Sequence, residues 1–269
     1  MSFDDWIGRT ETGTDTFTTA HNARLAAIGD HPRIPWSDLA PLGHWTGFTP
    51  TTPQSNIDTD GHPRRGEFMP PVDLPQRMWA GGSVHFHGPI PLGAPVRRVS
   101  TIADVTVKDG STGRLVFVEA GHELTVDGTT VLSEVQNIVY KDGSSPTAGV
   151  EGRAEPDFSR TLTPDAVLLF RYSAATFNAH RIHYDRDYAT GVEGYPDIVV
   201  QGPLTATLLL DAASRYRRVP FAAFRFRGRA PMFGGKAMSL NVFDRDGGLS
   251  MEAVDESGRL GMTAEVDFA

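Results

Sequence analysis

The sequence predicts an α+β protein in which one plan, a helix followed by an antiparallel meander, occurs twice along 269 residues. The first observation is an internal repeat, F-x-G-x-x-P followed by an apolar residue, at residues 86–92 and 226–232. The second is that three β-like runs, separated by Asp-Gly and similar turns, follow each copy. A helical pattern precedes each copy. Together these features predict a sheet wrapped around one central helix in each half.

The individual elements follow from hydrophobic spacing and turn chemistry. Helices are predicted at 166–177 and 187–192, and at 18–28 with Thr18 or Thr19 as the N-cap. A longer helix at 202–218 has Pro203 in its first turn, where a missing N–H costs nothing, and small residues that let a sheet approach closely. Six strands are predicted, at 96–107, 115–126, 129–140, 237–243, 249–254 and 260–268.

The chain is expected to form two domains, 1–145 and 157–269, joined by a polar linker at 144–156. A separate stretch, 41–75, is rich in proline, and long loops of this kind are often functional. Two interpretations stay open for it. It is a surface insertion, or it is a lid or wall over a pocket lined by the side chains Trp36, Trp45, Met78 and Trp79.

Composition excludes several classes of function. The absence of cysteine excludes disulfides, thiolate metal sites and a cysteine nucleophile. The net charge of −8, without a long basic run, argues against nucleic acid or an anionic membrane as partner. No run of 18 apolar residues is present, and the acidic N-terminus lacks the features of a signal peptide. We therefore expect a cytoplasmic, soluble protein.

The densest group of polar residues lies at 173–185, where a predicted helix ends. Asn178 is suited to helix capping, whereas His180 and His183, three residues apart with Asn178 and Asp185 nearby, are also suited to acid–base chemistry. His180 and His183 could share a helix face as metal ligands, but no established ligand spacing completes the set, and no metal site is expected. Ser173 lacks the setting of a nucleophile elbow.

Downstream, an apolar extended run turns at Gly202 into the longer helix. The N-terminus of a helix presents unpaired N–H groups and the positive end of its dipole. Because glycine has no side chain, a ligand can approach the Gly202 N–H closely. The turn is thus either a donor for a carbonyl oxygen that gains negative charge, or an ordinary connection between a strand and a helix.

The run T-F-N-x-H-x-I-H-Y-D at 176–185 resembles the signature of the MaoC-like, hotdog-fold enoyl-CoA hydratases. Together with R-M-W-A-G-G at 77–82 and G-P-L at 202–204, it is similar to the double-hotdog hydroxyacyl-thioester dehydratases of type 2. The resemblance implies His183, Asn178 and Gly202 as catalytic residues. It also implies no cofactor and a reversible hydration of enoyl-CoA thioesters, with a short branched dicarboxylic acyl group such as mesaconyl-C4 or itaconyl.

The wider hydratase signature has an aspartate at the position of Asn178. Asparagine can hold a water molecule but cannot accept its proton, so His183 is implied as the sole base, or the division of labour differs in this branch. The N-terminal half lacks a copy of the signature and is implied to shape the acyl-CoA pocket. Predicted substrate contacts come from Trp79, Tyr184, Gln201, Arg227 and Arg229.

An arginine cluster in residues 215–229 is either a phosphate-binding surface for CoA or solvated charge. Three other functions stay open: a 3-hydroxyacyl dehydratase acting on acyl carrier protein, a thioesterase, and a non-catalytic acyl-thioester-binding subunit. A thioesterase would need an acidic residue on the central helix, where Asp211 is the candidate. The chain is expected to form a homodimer.

Overall fold

The computed structural model describes residues 3–110, 113–142 and 149–269. Its contacts divide the chain into two compact units. The first unit comprises Met1–Trp79, Phe86–Gly143 and Ser173–Arg181, and the second comprises Ala80–His85, Ser144–Tyr172 and Ile182–Ala269. The predicted linker at 144–156 lies partly outside the described residues. The functional division at 145 and 157 stays a prediction.

The described residues form four α-helices and ten strands, numbered here in chain order. The helices are α1 (Thr19–Ile28), α2 (Ala166–Thr176), α3 (Arg186–Gly191) and α4 (Gly202–Tyr216). The strands are β1 (Thr10–Thr16), β2 (Gln76–Phe86), β3 (Pro95–Gly110), β4 (Gly113–Val126), β5 (Thr129–Lys141), β6 (Phe158–Leu162), β7 (Phe221–Gly228), β8 (Met238–Arg245), β9 (Gly248–Asp255) and β10 (Leu260–Phe268).

In the first unit, strands β1, β3, β4 and β5 pair in that order, each antiparallel to its neighbour. One face of this sheet buries Ile102, Val118 and Tyr140, which belong to one apolar cluster. Helix α1 begins after Thr18, as predicted, and buries Leu25. Alternating burial along these strands is what a sheet with one covered face requires.

In the second unit, the Gly81–His85 part of β2 pairs with β7, and the order continues through β10, β9, β8 and β6. Helix α4 contacts all five strands from β6 to β10. Leu204, Leu208 and Leu209 are completely buried, and so are the small residues Ala206 and Ala212. The small side chains let the sheet approach the helix, as the sequence predicts.

The predicted strands and helices are confirmed to within a few residues. The helix predicted at 166–177 ends at Thr176, because Phe177 adopts a left-handed conformation with φ of 50°. The helix predicted at 202–218 ends at Tyr216. Strands β1, β2, β6 and β7 were not predicted. Strand β1 is a polar run that is largely exposed and lacks an apolar alternation. No helix in the described part of the chain is long and apolar enough to cross a membrane.

Candidate active site

The signature segment, residues 176–185, begins with a tight turn that orients Asn178. The Asn178 N–H donates to the Ser173 carbonyl at 2.9 Å, and the Asn178 Oδ1 accepts from the His180 N–H at 3.0 Å. Because a backbone N–H only donates, the atom that faces it must be the amide oxygen. The Asn178 side chain therefore has its Nδ2 donors left for another partner. The left-handed Phe177 directly before it marks backbone strain of the kind found at functional sites.

His183 ends a 3₁₀ turn at Arg181–His183 and is held by the strand-like residues ahead of α4. Its Nδ1 lies 2.7 Å from the Val199 carbonyl oxygen, and the Val199 N–H donates to the Ile182 carbonyl at 2.8 Å. The side chain is buried. A carbonyl oxygen can only accept, so Nδ1 carries the proton and Nε2 holds the lone pair of the neutral ring. The geometry thus fixes the tautomer that a general base needs.

The Val199 to Gly202 connection is held rigidly before α4 begins. The Val200 N–H donates to the Met232 carbonyl at 2.8 Å, and Gln201 Nε2 donates to the Leu169 carbonyl at 2.9 Å. Gly202 is the first residue of the 15-residue helix, with Pro in its first turn. Its N–H therefore belongs to the helix end that has no internal acceptor. Gln201 is completely buried, and its amide group supports the turn.

Other residues of the signature segment have structural roles. Asp185 is the N-cap of α3, because its Oδ1 accepts from the Tyr188 N–H at 3.0 Å. Tyr184 is half exposed. The idea that His180 and His183 share one helix face is wrong, since residues 178–180 are not helical and a 3₁₀ turn begins only at Arg181.

Three arginines of the cluster at 215–229 are engaged in ion pairs. Arg215 contacts Asp211, Arg217 contacts Asp244, and Arg225 contacts Asp267, so these three are not free to form a single phosphate-binding surface. The exposed Arg227 and Arg229 have no carboxylate partner among the described residues. Their predicted contact with substrate stays a prediction.

Trp79 lies at the edge of the apolar cluster in the first unit. Its ring packs against Trp45 in a T-shaped arrangement, with ring centroids 4.9 Å apart. The proline-rich segment that precedes it is partly core, because Leu42 and His44 are buried, whereas most of residues 50–59 are exposed. Whether this segment covers a ligand stays a prediction.

Sequence reasoning missed a second polar group, formed by Asp60, Gly61 and His62 against residues 179–181. His62 Nδ1 lies 3.1 Å from Asp60 Oδ2, and the His62 and His180 ring centroids are 4.3 Å apart. Burial and the nearby Arg77 lower the pKa of His62 to about 4. Burial raises the pKa of Asp60, but its bonds with His62 outweigh this and hold it well below its usual range. An Asp-Gly-His sequence in a proline-rich loop carries no signal for a contact so distant in the chain.

Comparison with solved structures identifies the fold class. A MaoC-like dehydratase from Phytophthora capsici matches with a TM-score of 0.74 at 14% identity, covering 100% of this chain and 98% of the other. A protein of Mycobacterium tuberculosis described as having a double hotdog fold matches with a TM-score of 0.64 at 13% identity, covering 100% and 98%. The chain therefore has the double hotdog fold, as predicted.

Sequence comparison then gives the family. The family model described as hydroxyacyl-thioester dehydratase type 2 matches residues 42–234. A mesaconyl-C(4)-CoA hydratase from Chloroflexus aurantiacus is 40% identical over 270 residues, covering 98% of this chain and 96% of that protein. The chain belongs to the hydroxyacyl-thioester dehydratase type 2 family, which confirms the resemblance in its sequence.

Proposed function

We propose that this protein catalyses the reversible addition of water to an enoyl-CoA thioester, giving a 3-hydroxyacyl-CoA. As a member of its family it is a hydro-lyase. The proposed substrates are short branched dicarboxylic acyl-CoA thioesters of the mesaconyl-C4 or itaconyl kind. The support for this class is the 40% identity, over nearly the full length, to a protein named as a mesaconyl-C(4)-CoA hydratase.

The observation that carries the proposal is the bond between His183 Nδ1 and the Val199 carbonyl. Because this bond keeps the proton on Nδ1, Nε2 is the basic nitrogen. In hydration, Nε2 takes one proton from water while the water oxygen forms a bond to Cβ of the enoyl group. The electron pair of the double bond moves toward the thioester oxygen, giving an enolate. Nε2 then returns its proton to Cα, and a thioester needs no further electron sink.

The enolate oxygen requires hydrogen-bond donors at a fixed position. We assign this role to the Gly202 N–H together with the positive end of the α4 dipole. A donor of this kind typically contributes about 3–4 kcal/mol to the stability of the transition state. The bonds of Val200 and Gln201 to neighbouring backbone keep the helix end in place, so no reorganisation is needed during the reaction.

Asn178 precedes His183 by five residues and is proposed to hold the attacking water. Its Oδ1 is already bonded to the His180 N–H, so the groups that face the water are the Nδ2 donors. These would bind the water oxygen through a lone pair and leave a water proton for His183. This arrangement explains how the branch functions with asparagine where the wider signature has aspartate.

A thioesterase is less well supported, because the Asp211 carboxylate is held in ion pairs with Arg160 and Arg215. Its Oδ2 accepts from Arg160 Nη1 at 3.0 Å and from Arg215 Nε at 2.8 Å, and the residue is buried. We expect Asp211 to stabilise the fold, and we expect no release of free CoA.

The carrier and the assembly are also part of the proposal. A chain with a net charge of −8 offers a poor surface for an acidic acyl carrier protein, so CoA is the proposed carrier. We propose Trp79, Tyr184, Gln201, Arg227 and Arg229 as substrate contacts. A homodimer in the cytoplasm is the proposed working state, and sedimentation of the purified chain tests its size.

The decisive experiment is a panel of enoyl- and 3-hydroxyacyl-CoA thioesters that includes mesaconyl and itaconyl groups. Hydration is followed by the loss of ultraviolet absorbance of the conjugated double bond, and a thiol reagent detects free CoA in parallel. We expect turnover of at least one enoyl-CoA without thiol release. Tight binding without turnover across the panel, or release of free CoA instead of hydration, would reject the proposal.

A further inference from the structure

We propose that Asp60, Gly61 and His62 form a clamp that positions the signature segment, making them positioning residues for the reaction. The effect on catalysis rests on the proposed function, whereas the clamp itself does not. Loop 58–62 closes on itself, since the Asp58 N–H donates to the His62 carbonyl at 2.7 Å and the Gly61 N–H donates to the Asp58 carbonyl at 3.0 Å. Its tip is therefore a preformed surface.

One backbone and one side-chain hydrogen bond attach this tip to Arg181. The Arg181 N–H donates to the Asp60 carbonyl at 2.9 Å, and Arg181 Nη1 donates to the Thr59 carbonyl at 3.1 Å. Arg181 follows Asn178 by three residues and precedes His183 by two, so the clamp acts on the stretch between the two proposed catalytic side chains. Two hydrogen bonds to one residue fix both its position and its direction.

Gly61 is required by the close approach of the two backbones. Its φ is +94°, and a Cβ at this position would lie 1.9 Å from the Ala179 carbonyl oxygen and 2.7 Å from the carbonyl carbon. Real Cβ atoms never come so close to backbone atoms, so any side chain would push the loop and the signature segment apart. The contact therefore depends on the absence of one methyl group.

The side chains of Asp60 and His62 form a further contact, between the rings of His62 and His180. Asp60 accepts from the His62 N–H through Oδ1 at 2.8 Å and contacts the His62 Nδ1 through Oδ2 at 3.1 Å. The carboxylate thereby fixes both the backbone and the ring of His62, as a carboxylate orients an imidazole in other acid–base sites. The His62 ring is in turn held against the ring of His180, at 48° between the planes.

Donor atoms of Asp60, His62 and His180 lie within 4.8 Å of one another, a spacing that a divalent cation could bridge. Both carboxylate oxygens of Asp60 already bond to His62, however, so the hydrogen-bonded pair accounts for the arrangement by itself. The proposal therefore holds that the clamp needs no metal, and the experiment includes a direct check of this point.

The first test compares Gly61→Ala with Gly66→Ala in the full chain. Gly66 lies in the same proline-rich segment with φ of +109°, but its nearest neighbour to an added Cβ is Pro71 Cβ at 3.8 Å. Both variants carry the strain of a left-handed alanine, and only Gly61→Ala breaks the contact. Hydrogen exchange at the Arg181 amide measures the clamp without reference to activity, and turnover of the best enoyl-CoA measures its effect on catalysis.

For Gly61→Ala we expect at least about tenfold faster exchange at the Arg181 amide and about 10²-fold lower kcat, the loss typical of a 1 Å misplacement. KM should change little, and Gly66→Ala should resemble the parent protein. Equal exchange in the two variants would overturn the clamp. Faster exchange with unchanged kcat would overturn the positioning role while leaving the proposed hydratase function intact.

A second pair of variants covers the case in which Gly61→Ala does not fold. His62→Ala removes the side-chain bond to Asp60 Oδ2 and keeps the backbone bond to Oδ1, whereas His62→Asn also keeps a side-chain N–H close to the position of Nδ1. We expect His62→Ala to lower kcat and His62→Asn to recover most of the loss. No recovery, or an effect confined to KM, would overturn the role of the pair. Treatment with a chelator should leave the Arg181 exchange unchanged, and a change that Zn²⁺ reverses would replace the hydrogen-bonded pair with a metal site.

Discussion

His183 Nδ1 lies 2.7 Å from the Val199 carbonyl oxygen, three residues before α4 begins at Gly202. One bond thus ties the proposed base to the chain that leads into the proposed oxyanion donor. The reciprocal bond, from the Val199 N–H to the Ile182 carbonyl, prevents the two stretches from sliding past each other. The spacing of base and donor is therefore set by one bond from the His183 side chain and one bond between backbone groups.

Substitutions of His183 test the roles of its two ring nitrogens separately: Nδ1 contacts the Val199 carbonyl, and Nε2 is the proposed base. His183→Asn retains an N–H group that can donate to the Val199 carbonyl but lacks a nitrogen in the Nε2 position. We expect about 10²–10⁴-fold lower kcat/KM, the usual contribution of a positioned base, with an unfolding temperature close to that of the parent. His183→Ala should lose as much activity and also some stability. Enoyl-CoA hydration and thermal unfolding are measured side by side, and more than a tenth of parental activity in His183→Asn would argue against the assignment.

Asn178 offers a test of how water is held. In Asn178→Asp the new carboxylate can still accept from the His180 N–H, so the anchor seen in the structure is kept. The groups facing the water change from donors to an acceptor that titrates. We expect the pH profile of kcat/KM to gain an additional fall on its acid side, and Asn178→Ala to be slower than either. A profile for Asn178→Asp that matches the parent at every pH would show that this side chain does not face the reacting water.

Much of the fold could be predicted from the sequence because local signals agree with the final structure. Asp-Gly turns and alternating apolar residues place β3, β4, β5, β9 and β10, and the Leu and Ala spacing places α4. Strands β1, β2, β6 and β7 escape prediction: β1 is polar and largely exposed, and β2, β6 and β7 lie outside the runs that follow the two repeat copies. They are strands because a neighbouring strand supplies hydrogen-bond partners, which is not a local property.

The candidate site, like the fold, could be predicted from the sequence only in part. His183 and Gly202 are visible in the sequence because each belongs to a compact motif. Two other features depend on residues distant in the chain. The Val199 carbonyl fixes the tautomer of His183, and the loop at Asp60 is hydrogen-bonded to the signature segment. The arginine cluster at 215–229 also depends on distant residues, because Arg217 and Arg225 are paired with Asp244 and Asp267, which lie on other elements.

The lowered pKa of Glu134, in the first unit, predicts that the free energy of unfolding falls in acid. The Glu134 side chain is buried and accepts from His44 Nε2 at 3.1 Å and from Trp45 Nε1 at 2.8 Å. Burial alone would raise the pKa of Glu134. His44 and the other hydrogen-bond donors outweigh this effect and lower the pKa from its ordinary 4.5 to about 2 in the folded protein. Since the folded pKa is depressed, this stabilisation is complete above about pH 4.5 and is lost as the pH falls toward 2.

Glu134→Gln should therefore lower the free energy of unfolding at pH 7, by about 1–3 kcal/mol for a lost charged hydrogen bond. The difference from the parent should shrink as the pH falls through the window between 4.5 and 2. Urea unfolding at a series of pH values measures it, and Glu123→Gln, at an exposed position on β4, is the control. A difference that stays constant from pH 7 to pH 3 would mean that the charge of Glu134 is not what stabilises the sheet.

Gly81 in the R-M-W-A-G-G run permits a close approach of β2 and β7. A Cβ at Gly81 would lie 2.5 Å from the Phe226 carbonyl oxygen, whereas one at Gly121, also within a strand, would lie 3.9 Å from the Thr101 carbonyl oxygen. Gly81→Ala should cost about 1–3 kcal/mol through overpacking, which lowers the unfolding temperature by about 2–4 °C for each kcal/mol. Gly121→Ala should be neutral or stabilise by about 0.5–1 kcal/mol, since alanine restricts the unfolded chain. Calorimetry of both variants decides the matter: equal unfolding temperatures would mean that β2 and β7 can separate slightly at no cost, and that the glycine is not required by the pairing of these strands.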